Sequence, residues 1–480
     1  MSLLFSDCLN EIFEYLENDN ISLHSCLLVN RLWCEVSVRI LWRNIWNYNN
    51  RTYNTLISCL PNESKEILSK NGIIISTSKF PIFNYASFCK ILSINRVHHK
   101  IEQLLKNQRY SQDKINLVIQ EIFKMFAKQI SSLKQLDISL TSSWQSNFIF
   151  CLGAKDCLEN LTKLYCRSSI DQLSQICHNI SLLDILVDSY ISNGLSDFIS
   201  VQKNLKYFVI TLSCYDLTDN ELTNIIPSLM IKLPNTLIKL DLNGRQQHYI
   251  SLSLVANFSN LQELVLSFGY RECFEDFEKL QYANFPKLQI LKIEKACPRY
   301  KFLINFLENN GNNLKEIYIG DIRRGCSDNS LNLAIAKFCS NLRKLSTGIK
   351  INELETLKII FNSCQNLESI NIWCGGEFLR EKDALDTVVK YSQNVRKLIL
   401  YNQSDLQFKL LSKQQLETFF INWANHKPQK SLSLMVVNYD TSNLDTNDMI
   451  NNYSELGVIK EFHAIVQSHF VWTEMYNNFL

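Results

Sequence analysis

The sequence predicts an α/β solenoid, with short parallel strands on a concave side and helices outside, preceded by a small all-α unit. Two observations predict the solenoid: a short apolar pattern recurs along most of the chain, and helical stretches separate its copies. The length of 480 residues, 46% of them hydrophobic, agrees with this interpretation. Because a single globular core stops growing at roughly 250 to 300 residues, the chain forms either several domains or a repeat array.

The all-α unit is predicted in residues 1–48. Its first helix carries an apolar stripe at i, i+3, i+4 and i+7, formed by Leu9, Ile12, Phe13 and Leu16. The polar run at 18–20 ends this helix, a second helix is expected from about Ser22, and a third follows Asn30. Three short helices enclose only a small core, so such a unit tends to expose apolar side chains that a partner would cover.

Residues 49–130 are predicted to form irregular first repeats that connect the all-α unit to the main array. The segment "SFCKILSIN" predicts an early strand around Leu92 and Ile94. The segment "DKINLVIQEIFKMFAKQI" has strong helical periodicity.

An L-x-x-L-x-L pattern, usually preceded by Asn, recurs through residues 131–454. Its first apolar residues are Leu133, Leu161, Leu182, Leu205, Leu237, Leu261, Leu288, Leu314, Leu342, Leu367 and Val395. Nearly all of their separations fall in the 20 to 29 residue period of leucine-rich repeats. The alternating part predicts a strand whose leucines point into a core, and stretches such as "DNSLNLAIAKFCSNL" predict the helices between strands. Stacking these units gives a leucine-rich-repeat solenoid.

Past Val395 the pattern weakens. The segment "KSLSLMVVN" predicts one more strand, and residues 455–480 are predicted to cap the last repeat. The cap would cover it with four aromatic side chains: Phe462, Phe470, Trp472 and Tyr476.

The first 46 residues resemble an F-box. The run L-x-x-D-C-L-x-x-I-F-x-x-L begins at Leu4 and is followed by "SLHSCLLVNRLWCEVSVRILWRNIW". The family usually has Pro after the first Leu, whereas Phe5 stands here, so the first adaptor contact is open to change. The resemblance assigns eight residues to the F-box fold and its contact with a Skp adaptor: Leu4, Leu9, Ile12, Phe13, Leu16, Val29, Trp33 and Trp42. The alternative is that most of these residues belong to the internal core, and for Leu16 and Trp42 the two interpretations have equal weight.

An F-box followed by leucine-rich repeats is the arrangement of substrate receptors in the Skp, cullin and F-box class of ubiquitin ligases. In its opening segment and its Asn-rich repeats, this sequence most resembles the fungal members of that class. The resemblance implies a non-catalytic subunit that binds the Skp adaptor and, through it, the cullin. The repeats would hold an unknown protein substrate for ubiquitination. The alternative is a repeat scaffold outside ubiquitin ligases whose opening helices serve as an N-terminal cap or bind something else.

Enzymatic and cofactor motifs are missing from the sequence. It contains no G-x-x-x-x-G-K-[ST], no G-x-G-x-x-G and no H-E-x-x-H, and its eight histidines are dispersed. We therefore expect no catalytic residue, no metal and no other cofactor. The 16 cysteines include no C-x-x-C pair and are interpreted as buried thiols.

The balance of charged residues limits the classes of partner that are expected. With 49 Lys and Arg against 47 Asp and Glu, the formal net charge is +2, which disfavours nucleic acid. No stretch reaches the roughly 18 to 20 apolar residues of a membrane span, and no signal peptide is apparent. The expected location is the cytoplasm, the nucleus or both.

Three aromatic residues are predicted to form the substrate contact. Tyr318, Trp373 and Tyr401 alternate with the inward leucines, so they are expected on the concave face of the repeats from about 314 to 402. Large aromatic side chains are favoured interface anchors, because they supply much contact area with few rotatable bonds. The alternative is that the C-terminal segment folds back and covers them.

Overall fold

A computed structural model gives the fold of the protein. It describes residues 6–74, 81–139, 148–168, 170–188, 191–213, 226–244, 251–321, 324–403, 412–425, 430–437 and 447–465. The chain divides into two compact units, Met1–Ile210 with Lys232–Thr236 and Thr211–Ile231 with Leu237–Leu480.

The first unit opens with three helices, α1 (Ser6–Glu14), α2 (Asn20–Cys26) and α3 (Arg31–Leu41). Their positions agree with the three helices predicted from the apolar stripe and its breaks. The side chain of Asp19 caps α2 by accepting the Ser22 backbone N–H, and the side chain of Asn30 caps α3 by accepting that of Trp33. Asx side chains satisfy the N–H groups that a helix start leaves unpaired, so these two residues fix where the helices begin.

The rest of the first unit alternates helices with parallel strands. The helices are α4 (Asn50–Ser58), α5 (Asn62–Lys70), α6 (Ile94–Lys106), α7 (Gln112–Gln129), α8 (Ala154–Leu158) and α9 (Asn193–Ser200). The strands are β1 (Ile91–Ser93), β2 (Gln135–Asp137), β3 (Lys163–Arg167), β4 (Leu182–Val187) and β5 (Tyr207–Leu212). They neighbour one another in chain order.

The repeat array begins inside the segment that follows α3. Asn44 forms a parallel bridge with Ile91, and the carbonyl of Arg43 accepts hydrogen bonds from the backbone N–H groups of Lys90 and Ile91. The Lys90 carbonyl accepts the N–H groups of the next strand in the same way. By this register, the first two repeats span the 47 residues from Asn44 to Ile91 and the 44 from Ile91 to Gln135, each with two helices.

The strand register corrects one repeat position. Lys163 pairs with Leu182 and Leu164 with Leu183, so Leu182 occupies a polar position of its strand and not the first apolar position. Ile180, which is fully buried, takes that place. The flanking separations are therefore 19 and 25 residues, counted from Leu161 to Ile180 and from Ile180 to Leu205.

The second unit continues the alternation. Its strands are β6 (Lys239–Gly244), β7 (Glu263–Phe268), β8 (Ile290–Lys295), β9 (Glu316–Asp321), β10 (Arg324–Gly325), β11 (Lys344–Thr347), β12 (Ser369–Cys374), β13 (Lys397–Asn402), β14 (Leu432–Val437) and β15 (Ile459–Ile465). All are parallel and in chain order except β10, which pairs antiparallel with β9. This order agrees with the solenoid predicted from the repeats.

The first helix given for the second unit precedes β6, and the others lie between its strands. The helices of this unit are α10 (Ile226–Lys232), α11 (Phe277–Leu280), α12 (Tyr300–Asn310), α13 (Asn329–Phe338), α14 (Leu354–Ser363), α15 (Glu381–Tyr391), α16 (Lys413–Ala424) and α17 (Asn447–Glu455). Near the end of the chain, β15 adds a strand to the sheet where a cap was predicted, and Phe462 pairs with Leu434. The other three predicted cap residues, Phe470, Trp472 and Tyr476, lie outside the described residues.

In two repeats, the Asn that precedes the apolar pattern bonds to the preceding repeat. Asn341 donates its side-chain amide to the Asn312 carbonyl, and Asn394 donates to the carbonyl of Gln365. Each bond joins a repeat to the one before it at the turn that leads into the strand. These turns need a hydrogen-bond donor because helix ends leave carbonyl groups unpaired.

The residue three positions before the first apolar residue sits in a tight, buried turn. Gly311, Cys339 and Cys364 occupy this position in successive repeats, and the Cys364 thiol donates to the Cys339 carbonyl. A Cβ added to Gly311 would lie 2.8 Å from the Cys339 sulfur. A small side chain therefore fits between these three repeats, whereas Phe258 and Phe285 occupy the same position in earlier repeats.

Candidate functional site

Two of the predicted adaptor residues belong to the core of the α1–α3 unit. Leu9 and Phe13 are 1% and 2% exposed. They pack in a cluster with Leu23, Cys26, Val36 and Ile40. Their structural role is therefore to hold the three helices together. Leu4 lies outside the described residues.

Leu16 and Trp33 lie at the edge of the same core. Both are half-buried and pack against the buried cluster. The Trp33 and Phe13 rings meet edge to face, with centroids 5.1 Å apart. Edge-to-face aromatic pairs add stability beyond the area that they bury, so Trp33 holds α3 against α1.

Trp42 contacts the first repeat. Its ring lies 4.3 Å from that of Tyr85 and 4.9 Å from that of Tyr48, measured between centroids. The Tyr48 hydroxyl donates to the Trp42 carbonyl over 2.6 Å. By register, Trp42 occupies the first apolar position of the pattern that reaches the sheet at Asn44. The two alternatives for Trp42 are adaptor contact and internal packing, and these contacts favour internal packing.

The remaining two predicted residues are on the surface. Ile12 is 49% exposed and Val29 is 56% exposed. Near them in sequence are two more exposed apolar residues that the sequence prediction did not include, Tyr15 at 91% and Leu28 at 88% exposed. Ile12 and Tyr15 are three positions apart in and just after α1, where helical neighbours face the same side. The sequence contains one indication of their exposure: Tyr15 and Leu28 are large apolar residues that do not belong to the apolar stripe of Leu9, Ile12, Phe13 and Leu16.

An ion pair fixes α1 to the chain after α3. Arg43 donates two hydrogen bonds of 2.6 Å to the two carboxylate oxygens of Glu14, and its guanidinium lies 3.6 Å from Glu17. The hydrogen bonds from Arg43 lower the pKa of Glu14, although partial burial opposes them. A carboxyl whose pKa is lowered on folding contributes stability at neutral pH that is lost as the pH falls below its ordinary value. Because the pair is partly exposed, we expect this contribution to be about 1 kcal/mol or less.

The three aromatic residues predicted to bind the substrate are buried. Trp373 and Tyr401 are each 1% exposed, and Tyr318 is 8% exposed. Trp373 pairs with Tyr401 across β12 and β13, and their rings stack with centroids 5.0 Å apart. The expectation that these rings stand open on the face opposite the leucines is therefore wrong, although whether they take part in substrate binding is a separate question.

The burial of Trp373 and Tyr401 comes from a second apolar cluster on that face of the sheet. Trp373 and Tyr401 belong to it with Phe378, Ile399, Met435 and Val437. Phe378 comes from the turn after β12, and its ring would be 2.6 Å from a Cβ placed on Gly348. The later residues of β12, β13 and β14 are thus apolar on both faces, as is typical of buried parallel strands, whereas Ser369, Lys397 and Ser433 at the strand starts are polar.

The thiols of Cys157 and Cys177 are fully buried. Burial raises the pKa of Cys157 and of Cys177 to about 12, so these thiols are protonated near neutral pH.

Within the described ranges, no group of three or more His, Cys, Asp or Glu side chains is arranged to hold a metal ion. None of the helices found there is long and apolar enough to cross a bilayer.

No protein-family model and no curated protein matches the sequence. Among solved structures, the chain is similar to one in "Crystal structure of Rad7 and Elc1 complex in yeast", with 13% sequence identity. The similarity covers 90% of this chain and 98% of that chain, with a TM-score of 0.37. At this TM-score, the likeness carries no argument about fold or function.

Proposed function

We propose that the protein is the substrate-recognition subunit of a Skp, cullin and F-box ubiquitin ligase. In this proposal, α1 to α3 form the F-box, which binds the Skp adaptor and through it the cullin. The observation that carries the proposal is the exposure of Ile12, Tyr15, Leu28 and Val29 on a small helical unit, together with the F-box-like sequence of that unit. Four large apolar side chains left exposed on so small a unit are the kind of surface that a protein partner would cover.

The internal packing of the unit supports the same proposal. Leu9 and Phe13 are buried, so the helices have a core of their own and can present the surface residues in a fixed arrangement. A preformed surface avoids the entropy cost of ordering a flexible segment on binding. The adaptor would therefore bind an already folded surface.

The repeats take the role of target binding in this proposal. The protein itself would carry no catalytic residue, and it would act by holding a lysine of the target close to a ubiquitin-loaded partner enzyme. Proximity alone can supply much of the rate enhancement of such a transfer, because it makes a bimolecular step effectively unimolecular.

One set of contacts favours a second candidate function, a repeat scaffold whose opening helices serve as a cap. Trp42 packs on Tyr48 and Tyr85, and Arg43 joins α1 to the start of the sheet. A terminal cap would need such contacts, because end repeats must cover an exposed core. The cap candidate predicts no affinity for a Skp adaptor.

Complex formation separates the two candidates. The purified full chain and a purified fungal Skp adaptor, mixed at micromolar concentrations, are expected to elute together from a size-exclusion column as a complex with one copy of each. Separate elution at all concentrations up to about 50 μM would mean that the binding free energy is weaker than about 6 kcal/mol. This result would favour the scaffold.

A further inference from the structure

A cleft of about 620 Å³ opens in the second unit where β13, β14 and β15 begin. Its lining includes four cationic side chains, Arg396, Lys397, Lys430 and Lys460, together with Ser433 and Glu461. Four cations and one carboxylate give a formal charge of +3, whereas the whole chain carries +2. Positive charge is therefore concentrated at this cleft, and the rest of the chain sums to −1.

Hydrogen bonds hold the main chain of two of these residues, Arg396 and Lys430. The Ser433 N–H donates to the Arg396 carbonyl over 2.8 Å, which joins the starts of β13 and β14. The indole N–H of Trp423, a buried side chain, donates to the Lys430 carbonyl over 2.8 Å. The Lys430 ammonium also donates to the side-chain oxygen of Asn394. A ligand would therefore meet these cations on an ordered backbone.

A β-bulge brings Lys460 to the cleft. Leu432 pairs with Ile459 and Ser433 pairs with Glu461, so Lys460 is an extra residue in β15. Bulges re-aim a side chain and are common beside functional sites. The Lys460 ammonium lies 3.9 Å from the Glu461 carboxylate, but both side chains are largely exposed, and surface pairs of this kind contribute little.

Two neighbouring lysine charges, those of Lys344 and Lys460, repel the charge of Lys397. Partial burial lowers the pKa of Lys397, and the charge of the neighbouring Lys344 lowers it further. Lys344 itself lies 3.3 Å from Glu316, and Glu461 acts on Lys397 in the opposite direction. A bound anion would offset the repulsion, and a phosphate monoester, with a charge of about −1.5 to −2, would do so more fully than one carboxylate.

We propose that this cleft binds a phosphate group, carried either by a small phosphate compound or by a phosphorylated side chain of a partner protein. Arginine and lysine form charge-assisted hydrogen bonds to phosphate oxygens, and the Ser433 hydroxyl adds a neutral donor. The proposal goes beyond adaptor binding and does not depend on it, since all of these residues belong to the second unit.

Calorimetric titration of the full chain tests the proposal at constant ionic strength. The probes are inorganic phosphate and the peptide Gly-Gly-phosphoserine-Gly-Gly, with the unphosphorylated peptide as the reference. The double variant Arg396→Gln, Lys460→Gln removes two exposed cations of the cleft. The matched control is Arg299→Gln, Lys301→Gln, which removes an exposed Arg and an exposed Lys of the same unit.

Wild type and the control are expected to bind a phosphate probe, and the cleft variant is expected to bind it at least about tenfold more weakly. Tighter binding of the phosphopeptide than of inorganic phosphate assigns the group to a protein side chain, and equal binding assigns it to a small compound. Absence of binding in wild type, or equal affinity in wild type and the cleft variant, overturns the proposal. An oligoribonucleotide that binds more tightly than both probes and displaces them overturns the choice of a phosphate monoester.

Discussion

Replacing Trp373 by Ser is expected to lower the free energy of unfolding by about 3 to 5 kcal/mol, and the same holds for Tyr401→Ser. Both rings are 1% exposed and stack on each other, so removing either one leaves a cavity and places a hydroxyl in an apolar cluster. Because the two rings are in contact, the double variant should lose less than the sum of the two single losses. Urea unfolding followed by circular dichroism measures the loss.

Tyr282→Ser is the matched control, because Tyr282 is 73% exposed in the same unit. Its unfolding free energy should stay within about 0.5 kcal/mol of wild type, as is usual for surface changes. Wild-type stability in Trp373→Ser or Tyr401→Ser would contradict the burial of the rings and return them to the role of open substrate anchors.

Simultaneous replacement of Ile12 and Tyr15 by Asp is expected to weaken binding of a Skp adaptor by at least about 100-fold. In our proposal both side chains are covered by the adaptor, so the variant would bury two carboxylates at the interface without partners, which is strongly unfavourable. Neither residue belongs to the cluster that holds the three helices together, so the fold should persist. Fluorescence titration with a labelled adaptor measures the affinity.

The matched control is the double variant Ile359→Asp, Tyr282→Asp, which makes the same chemical change at exposed positions of the second unit. It should bind the adaptor like wild type. Phe13→Ala provides a different comparison: it should lower the stability of the helical unit, because Phe13 is buried against Trp33. If the Ile12 and Tyr15 variant binds as tightly as the control, the surface of α1 is not the adaptor site.

Local pattern predicted the three opening helices and most of the repeats, because each depends on residues close in sequence. The same kind of pattern failed at Leu182, and the reason is that two alignments satisfy it. Ile180, Leu183 and Ile185 fit the apolar positions as well as Leu182, Ile185 and Val187 do. Only the pairing of Leu164 with Leu183 decides between them, and this pairing is not local.

The exposure of side chains was harder to predict than the elements that carry them. Alternation correctly placed Trp373 and Tyr401 opposite the inward leucines, but their burial depends on Phe378 and on residues of neighbouring strands. In the opening helices, Leu9 and Ile12 belong to one apolar stripe in the sequence, yet Leu9 is buried and Ile12 is half-exposed. A small core has room for only part of such a stripe, so the remaining positions reach the surface.

Hydrogen–deuterium exchange of the full chain, alone and saturated with a Skp adaptor, tests the central claim most directly. The adaptor is expected to slow exchange in the segment from α1 to α3, residues 6–41, and to leave the helices and strands of the second unit unchanged. Unchanged exchange in residues 6–41, with slowed exchange in the repeats or with none at all, would contradict the assignment of the opening helices as the adaptor-binding part of a ubiquitin ligase receptor.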